Sequence, residues 1–293
     1  MPVSSETRVA MNNSAGPALS QAHGKEAAIG PVTVRRARIT KASWIKFGLR
    51  LAIILVLLGI WYLITAEHLV SSLVLPSPSS TWDSIYSLLR SGSLVSNSGI
   101  TLEAAGIGFG IGMAVGTLVG FIIGLSPFWT SVFEPFVTAF NALPRIALAP
   151  LFVLWFGIGT ESGAVLVISL VLFIALTNTI TGTRSIDRNY LTIVRLYGGK
   201  RGDVILKVVL PSTIPWIVAA GRLSLAYALS GAIVSEMFLG QNGLGYLIVS
   251  GSGVFNTGEV FAAVIASLII AAVLDRIGTV AEAHLLRWRP VTM

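Results

Sequence analysis

Long apolar runs, separated by short polar or basic stretches, dominate the chain after its first 44 residues. These runs lie at about 44–65, 101–125, 128–157, 163–182, 214–239 and 260–281. A helix of about 20 apolar residues is long enough to cross the hydrocarbon core of a bilayer. The pattern therefore predicts an all-α membrane protein with about six transmembrane helices.

The second run has a glycine on each of four successive helical turns, at Gly112, Gly116, Gly120 and Gly124. Small residues at this spacing let another helix backbone approach closely in a membrane. We therefore predict that this stripe is a helix-packing surface.

The third run is interrupted by Pro135, Pro144 and Pro150. Proline inside a helix removes a backbone hydrogen bond and kinks or breaks the helix. Broken backbone at membrane depth is tolerated only where protein or a water-filled cavity covers it. We therefore expect a broken third span.

A short amphipathic helix is predicted between the first two runs. Trp82, Ile85, Tyr86 and Leu89 follow the spacing of one helix face, and the segment is too short to cross a membrane. We expect it to lie on the membrane surface.

Composition excludes a water-soluble globule. Only 11% of the residues are charged, 54% are hydrophobic and the mean hydropathy is +0.82, whereas soluble domains average about 25% charged residues. The sequence has 0 cysteines, which excludes disulfides and thiolate metal sites. The three histidines are far apart, and no metal site is predicted.

The net charge of +7 is distributed as in a membrane protein, so nucleic-acid binding is not expected. Basic residues are concentrated before the first run, between the fourth and fifth runs, and after the sixth. The positive-inside rule therefore places both termini and the 183–211 loop in the cytoplasm. Residues 1–44 are polar, end in a basic cluster and are interpreted as a disordered cytoplasmic tail.

The loop at about 189–211 is the most informative segment. It is predicted to form two short helices around a Gly198-Gly199 turn, with glycine supplying a positive φ. Val204, Ile205, Val208 and Val209 would give it an exposed apolar face. Such a face on a cytoplasmic loop indicates a protein partner or membrane contact.

At these residues the sequence resembles a known family. Gly198, Val208, Leu210 and Pro211 follow the pattern of the "EAA" loop of type I ABC importer permeases, the inner membrane components of binding-protein-dependent transport systems. The segments at 141–151, 154–159, 221–223, 235–237 and 243–245 are similar to the nitrate/sulfonate/taurine branch. The resemblance covers about residues 76–289 and implies a type I permease fold over residues 45–293.

The resemblance implies that the loop is a pair of coupling helices for a separate ATPase. The residues that it assigns to coupling are Thr192, Arg195, Gly198, Gly199, Val204, Ile205, Val208, Leu210 and Pro211. One departure is that the family's Glu-Ala-Ala falls on 192–194, where this chain has Thr-Ile-Val, so the glutamate is missing.

The chain has no G-x-x-x-x-G-K-[S/T] phosphate loop. The resemblance therefore implies a non-catalytic subunit without its own cofactor, with ATP and Mg²⁺ bound by the partner ATPase. The other expected partners are an extracytoplasmic solute-binding protein, a second permease copy in a homodimer, and membrane lipids. The expected location is the bacterial inner membrane. Because the loop has lost its glutamate, a heterodimer also remains open.

Charged and polar residues within spans are candidates for the translocation path. Those selected are Arg145, Arg222, Ser224, Tyr227, Ser230 and Glu236. The two arginines would attract a small anion such as an aliphatic sulfonate, taurine or nitrate. Alternatively, Arg145 caps carbonyls of the broken backbone and Arg222 extends to lipid headgroups. The polar face of span five would then form hydrogen bonds with another helix, and Glu236 would be an interfacial acid whose hydrogen bonds are satisfied within the protein.

Two other classes of protein are weighed against an ABC permease. A self-sufficient secondary transporter would be expected to show inverted repeats and acids near mid-span, and neither is apparent in the sequence. A membrane-embedded enzyme would need catalytic groupings that the sequence does not show at useful spacing. The sequence leaves the substrate open, including pyrimidine-type precursors.

Overall fold

The computed structural model describes residues 41–288, so the predicted tail lies almost entirely outside the described residues. The chain divides into two units, residues 1–55 and residues 56–293, with the boundary inside the first helix. The first unit is described only over residues 41–55, which are helical. The contacts discussed below belong to the second unit.

The described part of the chain is helical, with short connections. The α-helices are α1 (Lys41–Ala66), α2 (Pro78–Arg90), α3 (Ser93–Gly124), α4 (Pro127–Ala142), α5 (Ala149–Phe156), α6 (Thr160–Arg184), α7 (Arg188–Leu196), α8 (Arg201–Val204), α9 (Leu210–Leu239), α10 (Leu244–Gly253) and α11 (Thr257–Leu285). A 3-10 helix (Arg145–Leu148) precedes α5, and a π-helix (Ile205–Val209) joins α8 to α9.

The predicted number of spans is confirmed if the third region counts as one. Among the described residues, 5 helices are long and apolar enough to cross a membrane. The sixth span is α4 together with Arg145–Phe156, and the two parts are bent by 76°. The break therefore falls at Leu143 and Pro144, whereas Pro135 lies inside α4.

The glycine stripe of α3 packs against α6, as predicted. A methyl group added at Gly112 would lie 2.8 Å from Cβ of Val171, and one at Gly116 would lie 2.8 Å from Cβ of Ala175. Separations this short leave no room for a side chain. The two backbones therefore meet directly along this seam, as small-residue stripes allow.

The seam continues into a core shared with α9. Its buried residues are Ala104, Ala105, Val167, Val171, Ala228 and Ala232. A second apolar cluster, around Leu94, Leu244, Leu247 and Ala263, holds α10 between α3 and α11. Large apolar side chains on outer faces stay exposed, for example Leu118 (62%) and Leu268 (68%), as expected where lipid covers a helix.

Three elements differ from the sequence-based predictions. Helix α3 begins at Ser93, several residues before the predicted start, because its first turns are polar and lie outside the apolar run; Asn97 among them is buried. The fifth span is continuous through the π-helix back to Arg201. The short helix α10 was not predicted at all, because its 10 residues include three glycines and are too few to span a membrane.

Candidate functional site

The loop before the fifth span forms the predicted helix pair. Asp187 caps α7, since its side chain accepts a hydrogen bond from the backbone N–H of Asn189 (2.9 Å). Gly198 then reverses the chain with a φ of +77°, a conformation that suits glycine. Asp203 accepts from the backbone N–H of Lys200 (3.0 Å) and pairs with Lys207 (2.7 Å), which fixes the start of α8.

The exposed apolar surface of this loop differs from the predicted one. Val204, Ile205 and Val208 are only half-buried and Val209 is buried, because these residues already form the start of the fifth helical span. The most exposed apolar side chains are instead Tyr190, Ile193, Leu196, Tyr197 and Leu206 (61, 49, 80, 88 and 65% exposed). We call these five residues the loop face.

The other residues assigned to coupling lie on or beside this surface. Thr192, Arg195 and Gly198 are exposed, Gly199 and Pro211 are half-buried, and Leu210 is 38% exposed. The helix pair therefore carries an apolar surface among basic side chains.

The buried carboxylate of Glu236 links α9 to α3 and to the start of α10. Its Oε2 accepts hydrogen bonds from the hydroxyl of Thr101 (2.9 Å) and from the backbone N–H of Gly245 (2.9 Å). Its Oε1 is buried and has no hydrogen-bond partner among the residues of the described range. Glu236 is thus largely satisfied within the fold, with one oxygen left over.

The same network satisfies the first amides of α10. The backbone N–H of Gly243 donates to Oδ1 of Asn97 (2.6 Å), and that of Leu244 donates to the hydroxyl oxygen of Thr101 (2.9 Å). Helix N-termini leave such amides without intrahelical partners and favour negative charge. Asn97, Thr101 and Glu236 therefore act together as an N-terminal cap supplied by two other helices.

A small cavity of about 220 Å³ adjoins this network. Its lining comprises Ile100, Ala104, Ile158, Gly159, Thr160, Ser162, Gly163, Ser235, Glu236, Gly240, Gln241 and Asn242. Glu236 is the one charged residue that lines it.

The guanidinium of Arg145 lies at the break in the third span. Its Nη2 donates to the backbone oxygen of Phe140 (3.0 Å) and to Oδ1 of Asn141 (2.9 Å), and its Nη1 donates to the backbone oxygen of Leu170 (3.5 Å). Its central carbon lies 4.3 Å from the ring centroid of Phe173, within cation–π range. Arg145 thus caps backbone that the break leaves open.

Arg222 forms ion pairs that join α9 to α11. Its Nη1 lies 2.9 Å from Oε2 of Glu282, and its Nη2 lies 3.5 Å from Oδ1 of Asp275. Its charge is thus matched by two carboxylates. Whether Arg145 or Arg222 contacts a solute stays a prediction.

The predicted polar face of the fifth span is divided between two environments. Ser224 is fully buried and its hydroxyl has no partner among the described residues. Tyr227 is 47% exposed, and Ser230 is exposed and donates to the backbone oxygen of Ala226 (2.9 Å). Whether these three side chains line the translocation path stays a prediction.

A larger polar cavity, of about 480 Å³, lies between α4 and α6. Its lining comprises Thr130, Glu134, Val137, Thr138, Asn141, Thr177, Ile180, Thr181, Arg184 and Ser185. We call this cavity the α4–α6 cleft. Asn141 connects it to Arg145, whose guanidinium holds the Asn141 side chain.

The fold and these features define a multi-pass membrane transport subunit, with one broken span and a short-helix pair before its fifth span. Residues 107–287 match the family described as "Binding-protein-dependent transport system inner membrane component", and the chain belongs to that family. It is therefore a permease subunit of an ABC importer, an inner membrane protein that is not itself catalytic. Such a subunit works with an ATPase and a solute-binding protein.

Individual relatives agree with this membership. A Bacillus subtilis permease assigned to aliphatic sulfonates, SsuC, is 31% identical over 247 residues, which cover 84% of this chain and 88% of the relative. The riboflavin transport system permease protein RibX of Chloroflexus aurantiacus is 36% identical over 258 residues, covering 88% of this chain and 96% of the relative.

A solved structure supports the fold. An inward-facing form of the MetNI methionine ABC transporter matches with a TM-score of 0.53, at 19% identity, over 68% of this chain and 95% of that one. At this identity the likeness shows the type I permease fold and nothing about the solute.

Sequence reasoning missed several of these residues. Asn97 and Thr101 lie four residues apart in an apolar span, a polar pair on one helix face that predicts a contact but does not identify Glu236 as the partner. Arg184 lies near a span end, where charge is ordinary, and Glu134 lies in the first half of the third run, so the sequence did not pair them.

Proposed function

We propose that this permease subunit forms the translocation path for a small anionic nutrient, such as an aliphatic sulfonate, taurine or nitrate. A separate ATPase docks on the α7–α8 helix pair and drives the path between inward- and outward-open states. Both termini and the helix pair lie in the cytoplasm, on the evidence of the Lys and Arg distribution. The expected assembly contains two copies of this chain, because twofold pairs are the commonest arrangement.

The loop face is the observation that supports docking of an ATPase on this chain. Leu196 and Tyr197 are 80% and 88% exposed at the tip of a helix pair that also carries several basic side chains. An apolar surface of this kind on a water-facing loop indicates a partner that covers it. The missing family glutamate leaves this apolar contact as the main docking interaction.

The relatives support the solute class. SsuC is assigned to sulfonates, which are small anions. RibX carries a riboflavin name, so a heteroaromatic solute is the second candidate. Its identity of 36% is higher than that of SsuC, so uptake assays need to include both solute classes.

The docking proposal is tested with Leu196→Asp combined with Tyr197→Asp. Burying a large apolar side chain contributes about 1.5–3 kcal/mol. Loss of two such contacts is therefore expected to lower ATPase affinity at least about 100-fold. The measurement is the amount of ATPase that co-purifies with the permease.

The matched control is Tyr86→Asp combined with Leu89→Asp, two exposed apolar residues of α2. This control is expected to retain the ATPase. Normal co-purification by the loop variant would rule out docking at the loop face. Uptake by the chain alone under an ion gradient would instead favour a secondary transporter.

A further inference from the structure

The α4–α6 cleft is lined by polar side chains along most of α4. Its residues on α4 run from Thr130 to Asn141, a rise of about 16 Å at about 1.5 Å per residue. The headgroup layer on each side of a bilayer is only about 5–7 Å deep. The cleft is therefore longer than one headgroup layer is deep, and it ends beside the break in the third span.

Two opposite charges line the cleft without neutralising each other. Glu134 projects from α4 and Arg184 from the last turn of α6. Neither side chain forms an ion pair or a hydrogen bond with any residue in the described range 41–288. Both side chains are exposed in this chain, so these two charges are free to meet a ligand.

The hydroxyl groups of the cleft present oxygen rather than hydrogen to its interior. Thr177 donates to the backbone oxygen of Phe173 (2.7 Å), Thr181 to that of Thr177 (2.9 Å), and Thr138 to that of Glu134 (2.9 Å). A hydroxyl whose hydrogen is used in this way keeps lone pairs that accept hydrogen bonds. The hydroxyl oxygens are therefore further hydrogen-bond acceptors in the cleft.

The donors come from different groups. The side chain of Arg184 offers several N–H groups, and Asn141 has a free amide nitrogen, because only its Oδ1 is bonded, to Arg145. A ligand that satisfies the whole cleft must therefore carry both a cationic donor group and an anionic acceptor group. The volume of about 480 Å³ lies within the usual range of small-molecule pockets, about 300–1,000 Å³.

We propose that the α4–α6 cleft binds a small zwitterion. Its ammonium group lies against Glu134, and its sulfonate, phosphate or carboxylate group lies against Arg184. The proposal rests on the proposed transport function and narrows the solute from an anion to an amine-bearing anion. The headgroup of phosphatidylethanolamine has the same chemistry, and the experiment therefore includes a lipid measurement that distinguishes the two sources.

The test measures binding to the purified permease–ATPase complex in phosphatidylcholine nanodiscs, without the solute-binding protein. The probes are taurine, which carries an ammonium and a sulfonate, and ethanesulfonate, which lacks the ammonium. Glu134→Gln is expected to weaken taurine binding about tenfold or more and to leave ethanesulfonate binding unchanged. Arg184→Gln is expected to weaken both.

Matched controls are Glu161→Gln, at the opposite end of α6, and Arg90→Gln, at the end of α2, since neither residue lines the cleft. Both are expected to bind the probes like the unchanged protein. Thermal unfolding of each variant distinguishes lost binding from lost folding. Equal taurine affinity in the unchanged protein and in both cleft variants would overturn the proposal.

A second measurement distinguishes a soluble zwitterion from a lipid headgroup as the occupant of the cleft. Mass spectrometry measures the phosphatidylethanolamine that co-purifies from native membranes. Loss of this lipid in Glu134→Gln and Arg184→Gln, with taurine binding unchanged, would assign the cleft to a headgroup and overturn the solute proposal. A complex that fails to assemble or to drive uptake counts against the proposed function. An active complex whose ligand binding is unchanged by the cleft substitutions counts only against this inference.

Discussion

The seam between α3 and α6 predicts opposite effects for the same substitution on two faces of one helix. Gly116 faces α6, and a Cβ there would collide with the backbone oxygen of Leu172 and lie 2.8 Å from Cβ of Ala175. Gly110 lies on the same helix, and a Cβ there would meet no atom within 4 Å. Gly116→Ala should therefore destabilise the protein, whereas Gly110→Ala should not.

The size of the difference follows from what each methyl group meets. At Gly116 the obstructing atoms include backbone, which cannot rotate away, so the helices must separate; such overpacking costs about 1–3 kcal/mol. At Gly110 the change only removes flexibility from a helix interior, which stabilises by about 0.5–1 kcal/mol. The two variants should therefore differ by about 1.5–4 kcal/mol in unfolding free energy.

Thermal unfolding of the purified permease in one detergent measures this difference. For a chain of this size about 1 kcal/mol corresponds to about 2–4 °C, so the midpoint for Gly116→Ala should lie at least about 3 °C below that for Gly110→Ala. Gly106→Ala is a second control, because its added Cβ would also meet nothing within 4 Å. Equal midpoints for the three variants would refute direct backbone contact along the seam.

Two further substitutions test the cap of α10 and the turn of the helix pair. Thr101→Val should lower stability by about 1–3 kcal/mol, because it leaves the buried N–H of Leu244 without an acceptor. Thr279→Val is the control, because the Thr279 hydroxyl bonds only the backbone of its own helix. Equal unfolding midpoints for the two variants would contradict the cap. Gly198→Ala should weaken ATPase co-purification about tenfold, because a φ of +77° costs an L-residue about 1–2 kcal/mol. Gly202→Ala, whose Cβ would meet nothing within 4 Å, should bind normally; retention by both would show that the turn does not position the loop face.

Features set by local sequence were predictable. The apolar runs located the spans, the glycines of α3 located the packing seam, and Gly198 located the turn, because each depends on residues within one helix or one turn. The exact position of the break in the third span was harder to predict. Of its three prolines, only Pro144 lies at the break, since α4 accommodates Pro135 and α5 begins around Pro150.

Features set by contacts between distant residues could not be predicted. Thr101 and Glu236 are 135 residues apart, and Arg222 meets carboxylates 53 and 60 residues away. The apolar face assigned to residues 204–209 was misplaced for the same reason. Its periodicity was read correctly, but these residues belong to the start of the fifth span and are partly covered there.

Whether a charged span residue already has a partner in the protein indicates its role better than its position along the span does. Arg145, Arg222 and Glu236 lie in the apolar runs, and each is engaged by groups of other elements in the fold. Glu134, in the middle of α4, and Arg184, in the last turn of α6, face one cavity and have no partner in the described range. A charge already matched by protein has little differential affinity left for a ligand, whereas an unmatched charge gains a hydrogen-bond partner when a ligand binds. Arg145, Arg222 and Glu236 are therefore better candidates for holding the fold together, and Glu134 with Arg184 is the better candidate pair for meeting the solute.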